Sequence, residues 1–258
     1  MPDVSLQTKT NIIEFFLKNY KLIIQYDGTK YAGWQIQKNN DTVQQQITLA
    51  IEILTKEKIN LIGSGRTDSG VHAIGQTANF RTENDIDIYR FKHSLNSLLP
   101  YDISISFMEE VDINFHARFD ARKRSYFYLI SQTKSPFYKN YSYFYHKKID
   151  VKKLNQLSKS FIGEKDFTSF SRKTPEQESK DCIIYSAQWR TKGELTFFYI
   201  QANRYLHGMV RAITGTLLKA QELNYSESFI EEIFYSHNRE EASDSVPANG
   251  LFLYKVEY

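Results

Sequence analysis

Two hydrophobic periods alternate along this chain, and the order in which they do so is the strongest constraint on its fold. Residues 20–26 (YKLIIQY) form a β-rich run closed by the turn signal Asp27-Gly28. Over 42–54 the apolar residues Val43, Ile47, Ala50, Ile51 and Leu54 fall at helical spacing, with Thr42 placed to cap the start. Strand-like runs at 59–62 and 76–80 follow, then a helix marked by Tyr89, Phe91, Leu95 and Leu98, then a strand over 103–107. The order is β-α-β-β-α-β. The second half repeats it, with strands predicted at 125–131, 182–190 and 195–201 and helices at 151–161 and 206–219. A last helix near 227–235 precedes a short strand at 251–256. This order predicts an α+β fold of two ferredoxin-like, RRM-like units, each an antiparallel sheet covered by helices on one face, the open faces left to form a central basic cleft. The expected organisation is a lead at 1–19, an N-terminal domain at 20–112 and a C-terminal domain at 113–258.

A chain of 258 residues, 41% hydrophobic and 24% charged, can bury a core without disulfides or metals. The single cysteine, Cys182, excludes an internal disulfide, a CxxC pair and a thiolate-rich zinc site. The apolar stretch 12–17 is interrupted by Glu14 and is too short to cross a membrane, so a cytoplasmic setting is expected. The net charge of +3 excludes a generally polybasic protein but conceals segregation. Residues 116–173 sum to about +10, against about −4 for 81–115 and about −5 for 219–258. Aromatic residues make up 15% of the chain, and many lie inside the basic block. A basic run is often only a solvated face. Basic side chains interleaved with aromatics also suit RNA, with its phosphates and exposed bases.

Three segments carry candidate chemistry. The first, GSGRTDSGVHA at 63–73, is a tight polar loop between apolar runs, able to approach a ligand closely and lacking the GxxxxGK[ST] spacing of a P-loop. Asp68 is at its centre, and an aspartate in such a loop is more often a turn former than a catalyst. Arg66 is a surface charge or a phosphate contact. The second, FHARFDARKRSYFY at 115–128, packs His116, Arg118, Arg122, Lys123 and Arg124 ahead of a strand that points Tyr126 and Tyr128 to one face and Phe127 to the other. The third, LHGMVRAITGTL at 206–217, reads as a helix with His207 and Arg211 one turn apart off the apolar stripe. Gly208 and Gly215 flank Arg211, and glycines inside a helix mark close approach of another backbone.

With GRTDSGVHA, FHARF, the MVR helix, the early YDGTKYAGWQIQ and the closing VPANGLFLYKVEY in this order, the chain resembles the tRNA pseudouridine synthase A family. The resemblance implies a cofactor-free isomerase that converts uridine to pseudouridine at positions 38, 39 and 40 of the tRNA anticodon stem-loop, working as a homodimer that holds one tRNA. It implies that Asp68 is the catalytic aspartate, Tyr126 the ring stacked on the target base and Arg211 the basic partner of Asp68. Substrate contacts are expected from Tyr126, Arg66, Phe115, His116, Ala117, Arg118, Phe119, Arg122, Arg172, Lys173 and His207. The chain departs from the family pattern at Lys165, Asp181 and Ser69.

The implied reaction breaks the N1–C1′ bond, turns the uracil and rejoins it through C5, so neither redox change nor group donor is needed. A carboxylate serves by attacking C1′ or by taking the C2′ proton, and both roles require its ionised form. The freed base is held by a ring that leaves its in-plane orientation free, and the phenol of Tyr126 is a candidate to remove the C5 proton. The target base must be flipped out of the stem. Two other readings use the same residues: a non-catalytic RNA-binding module or RNA chaperone, in which Asp68 is dispensable, and a glycoside or nucleoside hydrolase, which needs a second carboxylate that the loop lacks.

Overall fold

The computed structural model describes residues 17–172 and 179–258. Its strands are β1 (Lys18–Tyr26), β2 (Ile62–Gly63), β3 (His72–Thr82), β4 (Ile103–Val111), β5 (Lys123–Ser131), β6 (Tyr143–Phe144), β7 (Gly163–Asp166), β8 (Asp181–Lys192), β9 (Leu195–Ala202) and β10 (Leu251–Glu257). Its helices are α1 (Val43–Thr55), α2 (Ile88–Leu98), α3 (Val151–Ser158), α4 (Met209–Glu222) and α5 (Glu227–Ser236). The fold is α+β and mostly antiparallel. The two sheets expected from the sequence are one continuous sheet of order β4-β1-β3-β10-β5-β9-β8-β7, with β2 on β3 and β6 on β5. β10 is the join: it runs parallel to β3 through Phe252 and Leu253 and antiparallel to β5 along its length. The last seven-residue strand thus carries the first half's sheet into the second's.

Local chemistry accounts for most of the elements. Tyr20, Leu22 and Ile24 of β1 are completely buried, whereas Gln25 faces solvent, as period-2 alternation requires. Asp87 and Asp150 cap α2 and α3 by accepting from Arg90 N and Lys153 N, each at 3.0 Å, and such a cap contributes about 1 kcal/mol. Thr42 occupies the cap position of α1 as expected, but its buried hydroxyl makes no hydrogen bond. The strand expected at 59–62 reduces to Ile62–Gly63, because Ile59 and Leu61 turn into the core without a partner strand.

A bulge decides which way β3 faces. Ile24 pairs with Gln76 and Tyr26 with Ala73, so three steps of β3 answer two of β1 and Ala73 turns to the same face as Phe80. That face is the helix side. Phe80 packs 6.2 Å from Phe91 of α2, and farther along Trp189 stacks on Phe198 at 4.6 Å and donates to Ser158 of α3 at 3.0 Å. Helices α1 and α2 cover the β1–β4 end, and α3 to α5 cover the β8 end. Between the two groups lie β3, β10 and β5.

Buried acids make the fold sensitive to alkali. Burial, above all, pushes the Cys182 thiol from 9.0 up to about 11. Burial and the Glu222 carboxylate push the Tyr145 phenol from 10.0 up to about 12. Both groups keep their protons in the folded chain at pH values where the unfolded chain loses them. Their contribution is therefore complete below about pH 9 and declines as the pH rises through the folded values. The midpoint of thermal melting is expected to fall progressively from pH 9 to pH 11, and a flat profile would refute this.

Candidate active site

The loop between β2 and β3 is shaped by contacts from outside it. Ser64 N donates to Thr77 O and Ser64 Oγ to Gln76 Oε1, both at 2.7 Å, and Gln76 Nε2 donates to Gly65 O at 2.9 Å. Farther on, Thr67 Oγ1 and the Tyr26 hydroxyl lie 2.8 Å apart in a buried hydrogen bond, and Trp34 N donates to Thr67 O at 3.1 Å. Two glycines bring the segment after β1 against the loop. A Cβ on Gly28 would fall 2.0 Å from Val71 O, and one on Gly33, at φ +104°, would fall 2.6 Å from Thr67 O. The YDGTKYAGWQIQ motif is thus the buttress beneath Asp68. His72 serves the scaffold on the opposite face: it is buried, accepts from Gly28 N at 3.0 Å and stacks on Phe252 at 4.6 Å.

Asp68 presents each oxygen to a different group. Oδ2 lies 3.4 Å from Arg211 Nη1, and Oδ1 lies 3.3 Å from His207 Nε2. Arg211 is aimed by its other nitrogen, since Nε donates to Val246 O at 2.7 Å, which ties the closing VPANG segment to the site. His207 stands outside α4, contrary to the expectation of a helix from residue 206. Gly208, at φ +74°, is the left-handed N-cap, and helical backbone begins at Met209. The turn there brings His207 to the carboxylate from its other side. An added Cβ at Gly208 meets nothing within 4 Å, so this glycine is needed for its backbone angle. Gly215 is the close approach: a Cβ there would lie 2.2 Å from Asp244 O. The Asp68 side chain is 28% exposed, sheltered by its partners yet reachable.

Tyr126 lies on β5 opposite Ile200 and Leu253, on the helix side of the sheet. The site therefore opens in the gap between the two helix groups, where the expectation had placed it on uncovered sheet faces. The Tyr126 ring is 8% exposed and meets Tyr205 edge-on at 5.1 Å. Burial raises the Tyr126 phenol's pKa, Arg124 opposes the rise and Asp68 adds to it. Tyr128 on the same face donates to Pro247 O at 2.8 Å, and Phe127 on the other stacks on Phe252 at 4.7 Å.

A family model described as tRNA pseudouridine synthase matches residues 22–120 and 157–258. The chain belongs to the tRNA pseudouridine synthase family. It is 42% identical to tRNA pseudouridine synthase A of Brachyspira hyodysenteriae, over 92% of this chain and 96% of that one. It is likewise 42% identical to tRNA pseudouridine synthase A of Caldicellulosiruptor bescii, over 94% of this chain and all of that one. The enzyme of the same name from Bacteroides fragilis is 40% identical, over 94% and 97% respectively.

The other residues expected at the site of a tRNA pseudouridine synthase divide into two sets. Arg66, Arg122 and Arg172 are exposed, and none of their side chains has a hydrogen-bond or ion-pair partner among the described residues. Arg118 and Phe119 project from the FHARF turn, the guanidinium 5.5 Å over a ring that is 74% exposed. His116 braces that turn: its ring lies 4.3 Å from Phe119, and Nδ1 accepts from Arg118 N and Phe119 N, each at 3.2 Å. Phe115 and Ala117 face inward. Phe115 packs on Tyr258 at 4.9 Å, and the fully buried Ala117 gives its N–H to Asn79 Oδ1 and its carbonyl to the Tyr258 hydroxyl. They anchor the turn, and its tip carries the exposed groups. Lys173 lies outside the described residues. Arg124, grouped by sequence with the phosphate donors, turns inward as well. Tyr205 had no distinguishing signal in the sequence. Among the described residues no group of three or more His, Cys, Asp or Glu is placed to hold a metal.

Proposed function

We propose that this chain converts uridine to pseudouridine in the anticodon stem-loop of tRNA, at positions 38, 39 and 40. The observation that carries the reading is the carboxylate of Asp68, held between Arg211 and His207 beside the buried ring of Tyr126. In this reading Asp68 is the catalytic residue. Lying beside Arg211 Nη1 and His207 Nε2, its carboxylate either attacks C1′, forming an ester as the N1–C1′ bond breaks and leaving again as C5 of the turned uracil bonds to C1′, or takes the C2′ proton as the N1–C1′ bond breaks and returns it to C2′ as C5 joins C1′. The C5 proton leaves and N1 gains one, so the product is an isomer, with no electron or external group exchanged and no cofactor required.

Tyr126 holds the detached base by its ring face, and Tyr205, perpendicular to it at 5.1 Å, limits the ring's tilt. The base reaches the site by flipping, at a cost of a few kcal/mol that contacts from exposed Arg66, Arg118, Arg122 and Arg172 to phosphates offset. Phe119, exposed and flanked by Arg118, is suited to stack on an unpaired base. The halves 20–112 and 113–258 act as two domains, one bringing Asp68 and the other Tyr126, Arg211 and His207. The working unit is a homodimer on one tRNA, and the compartment is the cytoplasm. No described helix is long and apolar enough to cross a membrane.

The test is to map pseudouridine in tRNA from cells with and without this protein. The modification at 38 to 40 is expected to disappear without it. Loss elsewhere would keep the chemistry and change the target, and no loss would overturn the reading.

A further inference from the structure

Arg124 lies on β5 two residues before Tyr126 and on the same face, about 7 Å along the strand. Its guanidinium is partly buried and directed wholly at backbone. Nε and Nη2 donate to Ser64 O at 3.3 and 2.9 Å, Nη1 to Ala121 O at 3.2 Å and Asn203 O at 2.8 Å, and Nη2 also to Arg118 O at 2.9 Å. These carbonyls belong to separate parts of the site. Ser64 opens the loop that carries Asp68, and Arg118 sits in the turn that presents Phe119. Asn203 leaves β9 toward Tyr205 and His207, and Ala121 lies on the approach to β5.

An arginine has five N–H donors in a planar fork, and all of them are engaged here, which leaves none for a phosphate. Burial lowers the pKa of the guanidinium without discharging it, so the charge is solvated by peptide dipoles in place of water. A lysine has a compact charge and three donors, which cannot span four carbonyls on different segments.

We propose that Arg124 is a positioning residue for catalysis, locking the Asp68 loop, the RNA-facing turn and the approach to His207 to the strand that carries Tyr126. It acts through the placement of Asp68 against Tyr126 and has no contact with the reacting atoms. The proposal rests on the uridine isomerisation reading above.

The test compares wild type with Arg124→Lys and Arg124→Met by tritium release from tRNA labelled at C5 of uridine, by tRNA binding across a salt series, and by hydrogen exchange. Both variants are expected to lose kcat by about 10²-fold, the cost of misplacing reacting groups by about 1 Å, while tRNA affinity falls by much less, through the loosened turn, and its salt slope stays at the wild-type value. A phosphate contact would do the reverse, weakening binding and reducing the slope by about one. Amides at 64–70 and 117–119 are expected to exchange faster in Arg124→Lys, with the central strands unchanged. Should Arg124→Met fail to fold, Arg124→Lys, which keeps the stem and the charge, decides the matter. Wild-type kcat in Arg124→Lys, a loss confined to binding, or unchanged loop exchange would overturn the proposal. A wild-type protein that releases no tritium would refute the proposed activity instead, and loop exchange would still decide the role of Arg124.

Discussion

Replacing Asp68 by asparagine is expected to reduce tritium release from tRNA labelled at C5 of uridine by about 10²- to 10⁴-fold, with tRNA binding close to wild type. The amide is nearly isosteric with the carboxylate, so the loop should keep its shape. Its oxygen can still accept from Arg211 Nη1, and its NH₂ can donate to Nε2 of a neutral His207, so both contacts seen at 3.4 and 3.3 Å have a neutral substitute. Only the charge and the basic lone pair are lost, and either catalytic role needs them. Binding rests on other groups, the exposed Arg66 and Arg118 among them. Release within tenfold of wild type would remove Asp68 from the mechanism, and a parallel loss of binding would make it a binding residue.

Gly33→Ala is expected to damage both activity and stability, although Gly33 touches no substrate. Its Cβ would lie 2.6 Å from Thr67 O and 3.2 Å from the carbonyl carbon of Asp68, with the backbone at φ +104°. Neither side can step away. Trp34 N is bonded to Thr67 O, and the Thr67 hydroxyl is held by Tyr26. Strain at such a backbone angle costs about 1–3 kcal/mol, and the overlap adds to it. A shift of about 1 Å in the loop would lower kcat on the order of 10²-fold. Gly193→Ala is the control: it also has positive φ, at +61°, but a Cβ there meets nothing within 4 Å. Its activity should be unchanged. Melting curves and tritium release on the two variants distinguish strain alone from displacement of Asp68, and equal activities would discard the buttress.

Legibility in the sequence followed the range of the interaction concerned. Helices α2 and α3 begin where Asp87 and Asp150 stand, because a cap is a contact between near neighbours. The start of α4 is hidden from the sequence because Leu206 and Met209 suit a helical stripe whether or not the chain turns between them; only the angle of Gly208 breaks the pattern. Arg124 was grouped with Arg122 and Lys123 because composition treats the three alike. The signal against that was present: the same alternation that points Tyr126 and Tyr128 inward points Arg124 with them. Nothing near Gly33 announced that its partner would be Thr67.

From the sequence alone came the order of strands and helices, the polar loop around Asp68, the basic aromatic block inside a nearly neutral chain, and the motifs that placed the family. Each depends on residues within a turn, a strand or a few tens of positions of one another, where sterics and burial act locally. The tertiary structure decided that β10 would join two sheets into one, that a bulge would turn Ala73 toward the helix side, and that Asp68 would meet an arginine 143 residues away. Such pairings depend on which distant surfaces bury one another best once the chain has closed, and no local period records that outcome.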